Sequence, residues 1–218
     1  MGEWGSYDLS DLLMFSADSY VRLFARANRL WPLALLLSVA LVIGLWRRPT
    51  GASPSLRWVL AGAWLTVAIA FHHRLYAQIN LAGEAFALLF AVEAALLVLL
   101  RSSARPAHAT PLAATLPGWL LITYALLLHP FFWFAVGRPW QAAELFAIAP
   151  DTTALVTLGW LLLRPMTWQW LALPIPLIWC IVSALTHVAM REPLGILVPL
   201  LALLALGARL VIAAWQRR

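Results

Sequence analysis

ELFAIAPDTTALVTLGWLLLR, residues 144–164, is the stretch on which the fold turns. It is apolar enough for a membrane helix, yet it holds Glu144, Pro150 and Asp151. Proline has no N–H and clashes with the turn before it, so a helix running in from Glu144 stops or kinks at Pro150. Asp151, Thr152 and Thr153 follow, three residue types that favour a helix N-cap, and a new helix then runs from about Thr153 towards Arg164. The pattern predicts a membrane helix broken at Pro150-Asp151. Unpaired backbone and a carboxylate at that depth cannot face lipid, so the break faces protein or a wet cavity. Ionisable residues inside a span are candidates for function.

Composition places the rest of the chain around this segment. The 218 residues are 63% hydrophobic and 11% charged, with mean hydropathy +0.85, against about 45–50% apolar and 25% charged in soluble domains. This is the signature of an all-α, polytopic helical membrane protein with the lipid bilayer as its first partner. All 15 basic residues are arginine. Guanidinium groups at helix ends snorkel and set topology, which accounts for the net charge of +6 without a nucleic-acid partner. The single Cys180 excludes an intramolecular disulfide and a cysteine-cluster metal site.

Residues 1–29 form the first unit, a polar tail followed by an amphipathic helix over 10–29. Ser10 or Ser16 caps it. Arg22, Arg26 and Arg29 share one face, and Tyr20, Leu23, Phe24 and Ala27 lie on the others, as in a helix lying in the membrane interface. Residues 30–218 form one bundle of about seven spans: 30–46, 58–75, 81–100, 112–136, 142–163, 168–190 and 194–215. Pro130 kinks the fourth. One side receives Arg47, Arg48, Arg57, Arg101, Arg105, Arg164, Arg217 and Arg218, and the other Arg74, Arg138 and Arg191 besides the interfacial helix. The first side is therefore cytoplasmic, with the N-terminus outside and the C-terminus inside.

The remaining polar residues are not spread evenly. Asp8, Asp11, Asp18, His72, His73, Glu84, His129, Glu144, Asp151, His187 and Glu192 fall on the outer side or in the outer half of a span, while the cytoplasmic side keeps His108. Glu93, deep in span three, must be neutral or paired with an arginine. At 1.5 Å per residue, Asp151 and His129 lie roughly 10–13 Å below the outer ends of their spans, with His187 and Glu84 about one turn in. These four converge if their spans pack adjacently, and His72, His73 and Arg74 then form the mouth. Glu144 and Asp151, seven apart, share a face of any continuous helix. Imidazoles and carboxylates suit a divalent transition metal, for which His129, His187 and Asp151 are the candidate ligands. No HxxxH or HExxH spacing supports that metal, and no cofactor is demonstrable; paired histidines would also suit haem or a proton relay. Plainer roles stand beside these. Asp151 is a simple N-cap, His129 satisfies a carbonyl freed by Pro130, and His72-His73-Arg74 is a solvated helix end.

The blocks FSADSYVRLFARANRLWP (15–32), FHHRLYAQIN (71–80), ELFAIAPDTTALVTLGWLLL (144–163) and LPIPLIWCIVSALTHVAM (173–190) resemble a bacterial membrane-protein family, domain of unknown function 6064. The resemblance covers nearly the whole chain in order. It implies a multi-pass protein of the bacterial inner membrane and supplies no catalytic residue. Two classes of function follow. The first is a small transporter, channel or ion-binding protein with an outward-facing pocket for a small cation, proton or small solute. The second is a non-catalytic accessory or structural subunit of a membrane complex, or an envelope sensor. No nucleophile elbow or phosphate loop points to an enzyme.

Overall fold

Helix α1 (Ala17–Ala27) begins where the Ser16 hydroxyl accepts from the Ser19 N–H at 3.3 Å, with Asp18 in the positive first turn. The computed structural model describes residues 13–47, 54–99, 112–135, 137–163 and 169–215. Ser10, residues 48–53 and 100–111 with His108, and Arg164, Arg217 and Arg218 lie outside the described residues. Arg22 and Arg26 point outward, and Tyr20, Leu23, Phe24 and Ala27 are buried. The arginine-free side of α1, expected to meet the membrane interface, packs on the chain's own aromatics: Phe24 lies 5.1 Å from Phe71 and Tyr20 6.0 Å from Tyr76, centroid to centroid. Ring-on-ring burial outcompetes lipid contact for that side.

A 3-10 turn, Asn28–Leu30, leads straight into α2 (Trp31–Arg47). α3 (Pro54–Thr66) runs on as a π-helical segment, Val67–His73. α4 (Gly83–Leu99) returns beside it. α5 (Leu112–Thr123) passes through a second π-helical segment, Tyr124–Leu128, into α6 (His129–Ala135). The wider turn accommodates Pro130, whose ring would otherwise meet the carbonyl four residues back. α7 (Pro150–Leu163), α8 (Pro174–Ala189) and α9 (Leu197–Trp215) complete the chain, and no strand occurs among the described residues. Among the described residues, four helical runs are long and apolar enough to cross a membrane: Ala17–Arg47, Ser55–Gln78, Ala113–Phe132 and Leu194–Ile212. α4, α7 and α8, with 17, 14 and 16 residues, are shorter.

α7 is the axis of the bundle. All 14 of its residues are buried, and α5, α8, α9 and α3 pack around it. α5 comes closest. A Cβ on Gly118 would sit 2.6 Å from the Gly159 carbonyl oxygen, and one on Gly159 would sit 2.8 Å from that of Gly118. Two glycines facing each other let the backbones meet, as small residues do between membrane helices. Trp64 of α3 donates its indole N–H to Thr157 Oγ1 at 2.7 Å, and Arg209 of α9 donates to the Leu162 carbonyl at 3.3 Å.

The predicted break needs correction. No helix enters it: residues 143–149 form a loop in which Ala147 takes a left-handed φ of 66°. Pro150 is the first residue of α7 rather than a stop, because its fixed φ and missing N–H cost nothing in a first turn. Two threonines fasten the loop. Thr153 Oγ1 accepts from the Ala147 N–H at 3.0 Å, and Thr152 Oγ1 donates to the Glu144 carbonyl at 2.6 Å. Glu144 and Asp151 therefore do not share a helix face.

Candidate functional site

Three elements deliver three side chains to one buried point. His129 opens α6 directly after the π-helical segment, Glu144 rides the loop that the threonines hold, and Asp151 is the second residue of α7. One ligand-capable atom from each lies within 4.8 Å of the others. All three are out of contact with solvent, at 0%, 1% and 2% exposure.

The pairing around this point is extensive. His129 Nε2 lies 3.0 Å from Glu144 Oε2, and its Nδ1 lies 3.4 Å from the Tyr124 hydroxyl. The second Glu144 oxygen accepts from Arg138 Nη1 at 3.4 Å. Arg138 Nη2 donates to Glu192 Oε2, which also pairs with His187 Nδ1 at 3.1 Å. From α8, the Trp179 indole N–H donates to one Asp151 oxygen at 2.7 Å and the Ser183 hydroxyl to the other at 2.6 Å. A chain of acid and base groups thus runs from His129, beside Asp151, through Glu144 and Arg138 out to Glu192, at the rim. Burial pushes the Glu192 carboxyl up, but the His187 hydrogen bond and the Arg138 charge outweigh it and hold the group below its ordinary 4.5.

The expected site residues divide. His129 and Asp151 come together as predicted. His187 is not one of the three that meet; it bonds Glu192, which Arg138 links to Glu144. Glu144 takes the place beside His129 and Asp151 that the sequence assigned to His187, because the loop turns its side chain inward. Glu84 does not converge: it pairs with His73 at 2.9 Å on the surface, both more than half exposed, and Arg74 is exposed beside them. A helix-end cluster in water describes His73, Arg74 and Glu84, but not His72. That ring is fully buried, 4.4 Å from Phe90 and 4.9 Å from Trp179 between centroids. Neither His72 nitrogen has a hydrogen-bond partner among the described residues, nor has either Glu93 oxygen, so of the two readings of Glu93 the arginine partner is not found among them.

Asp151 gives both oxygens to α8, so capping is not its main work; Thr153 makes the cap-like contact instead. His129 spends its ring on Glu144 and Tyr124, not on a carbonyl freed by Pro130. Arg138, Glu192, Tyr124, Trp179 and Ser183 were missed by sequence reasoning. One signal was available: Trp179, Ser183 and His187 recur every four residues, a polar stripe down one face of an apolar helix. Arg138 gave none, since a loop arginine at a span end reads as topology; Glu192 stood among the outer-side acids but not among the residues expected to converge.

Neither curated proteins nor solved structures returned a match to this chain. The family of unknown function DUF6064 matches residues 17–212, most of the chain, and the protein belongs to that family.

Proposed function

We propose that this DUF6064 member is a multi-pass protein of the bacterial inner membrane, N-terminus outside and C-terminus cytoplasmic, that binds a small cation in an outward-facing pocket. Seven spans, with α7 sheathed by its neighbours, fit the helix order. The ligand best matched to the site is a divalent transition-metal ion. One observation carries this reading: an imidazole and two carboxylates from separate elements meet within 4.8 Å in a buried setting, the donor set such ions take. Glu144, Asp151 and Glu192 face a single arginine there. With neutral histidines the ionised cluster is two charges negative, which favours a divalent ion. Binding would replace the His129–Glu144 bond by two bonds to the metal. Transport is the broader activity that such a site would serve.

Elemental mass spectrometry of purified protein, dialysed against zinc or manganese, tests it. Wild type should hold one ion per chain, and His129→Ala and Glu144→Gln should hold none while staying folded. Equal metal content in all three sinks the reading. The accessory-subunit alternative draws support from Arg138, which already bridges Glu144 and Glu192 and suits a clasp holding loop to bundle.

A further inference from the structure

α2 leans on α3, and its other side stands away from α5. Between them runs a cleft of about 790 Å³, walled by residues such as Leu35, Val42, Ile122 and Leu126, with Leu145 and Phe146 at its floor. That volume is in the range of small-molecule sites, roughly 300–1,000 Å³. Trp31 and Trp46 mark its length along α2; fifteen residues at 1.5 Å give about 22 Å. One leaflet of a hydrocarbon core about 30 Å thick is shorter than this. Both walls belong to helical runs able to cross a membrane, so the side that opens between them faces acyl chains.

The outer end of the cleft is not apolar. A second pocket of about 620 Å³ shares Trp31 and Leu145 with it and adds Asn28, Arg29 and Gln141. Arg29 is exposed there. Asn28 donates its amide hydrogens to the carbonyls of Gln141 at 2.6 Å and Ala143 at 2.9 Å. A guanidinium at a lipid boundary calls for a phosphate. We propose that this continuous cleft binds one anionic glycerophospholipid: an acyl chain between α2 and α5, and its phosphate on Arg29.

The proposal rests on the membrane reading but not on the cation site. Protein is extracted from the membrane fraction into detergent and incubated with equal phosphatidylglycerol and phosphatidylcholine of matched chains. Native mass spectrometry then counts bound lipid. A chain missing from the membrane fraction would sink the membrane reading itself, before the cleft is tested. Both lipids carry the phosphate, but choline's own cation offsets it beside Arg29, so wild type should retain one phosphatidylglycerol in roughly five- to tenfold preference, the scale of one charge–charge contact. Arg29→Gln should bring that preference near unity. Leu35→Trp/Val42→Trp fills the cleft and should abolish the adduct; Leu36→Trp/Ile43→Trp, on exposed positions outside the cleft lining, should leave it intact. No adduct on wild type, or an adduct indifferent to filling, overturns the site. An adduct lost on filling but blind to head group overturns the assignment to Arg29.

Discussion

Asp151 accepts from two different donors, and that makes its substitutions separable. Alanine strands the Trp179 N–H and the Ser183 hydroxyl together in a buried place, and an unsatisfied buried donor costs about 1–3 kcal/mol. Asparagine keeps an acceptor for Trp179, and the serine hydroxyl can rotate to accept from the new amide. Thermal unfolding in detergent should therefore rank Asp151→Ala well below Asp151→Asn, with asparagine near wild type; equal losses would mean the α8 contacts contribute little. Glu192 supplies a pH signature. Its folded value is held below 4.5, so the stability it adds is fully present above that value and is lost as pH falls through the lowered one. Glu192→Gln should flatten the acid limb of a stability–pH curve measured between pH 3 and 6, and a limb as steep as wild type would count against the Arg138–Glu192–His187 linkage. Residue type told much here: every histidine and carboxylate of the cluster was visible as an oddity in apolar sequence. Which of them meet was not, because the side chain of Glu144 is aimed by a loop, and loops have no period to read.

Among the elements, α7 shows where sequence reading succeeds and where it stops. The run TALVTLGWLLL and the proline ahead of it are enough to place the helix, though it starts at Pro150 itself and not at the expected Thr153. They do not say whether helix or loop comes before, since LFAIA suits a helix by propensity, and it is the threonine bonds to Ala147 and Glu144 that decide for a loop. The full burial of α7 likewise depends on partners. Its seat against α5 is the Gly118–Gly159 contact, where an added Cβ meets backbone that cannot move aside. Gly159→Ala should lower stability by about 1–3 kcal/mol through overpacking. Gly62→Ala in α3 is the matched comparison, because there a Cβ meets only Leu37 at an ordinary 3.8 Å. It should be neutral or stabilising by roughly 0.4–1 kcal/mol. Two equal losses by thermal unfolding would reduce the close crossing to a general intolerance of the bundle.

At the scale of the whole molecule, the two ends of the bundle differ in chemistry. Arg47 closes α2, and Arg57, in the first turn of α3, donates to the Val98 carbonyl near the end of α4 at 3.5 Å, so this end carries cations without acids among the described residues. The opposite end carries Glu84, Glu144, Asp151 and Glu192 with His73, His129 and His187. Periodicity and apolar length made the all-helical bundle legible. They also read α4, α7 and α8 as spans, yet at 17, 14 and 16 residues these are shorter than the runs lipid demands, and α7, wholly buried by protein, needs neither that length nor the apolar girdle. The proposed orientation rests on arginine bias, which would put the arginine end in the cytoplasm. The chain is well suited to a direct test, because Cys180 is its single cysteine and is buried, out of reach of a thiol reagent. Gln78 ends the helical run Ser55–Gln78 and Arg47 ends the adjoining α2, and both are exposed, at opposite ends of the bundle. With a membrane-impermeant maleimide on intact cells, Gln78→Cys should label at once, Arg47→Cys only after the membrane is opened, and wild type in neither case. Labelling of Arg47→Cys on intact cells, with Gln78→Cys protected, would invert the molecule and turn the His129–Glu144–Asp151 site towards the cytoplasmic pool of metal ions.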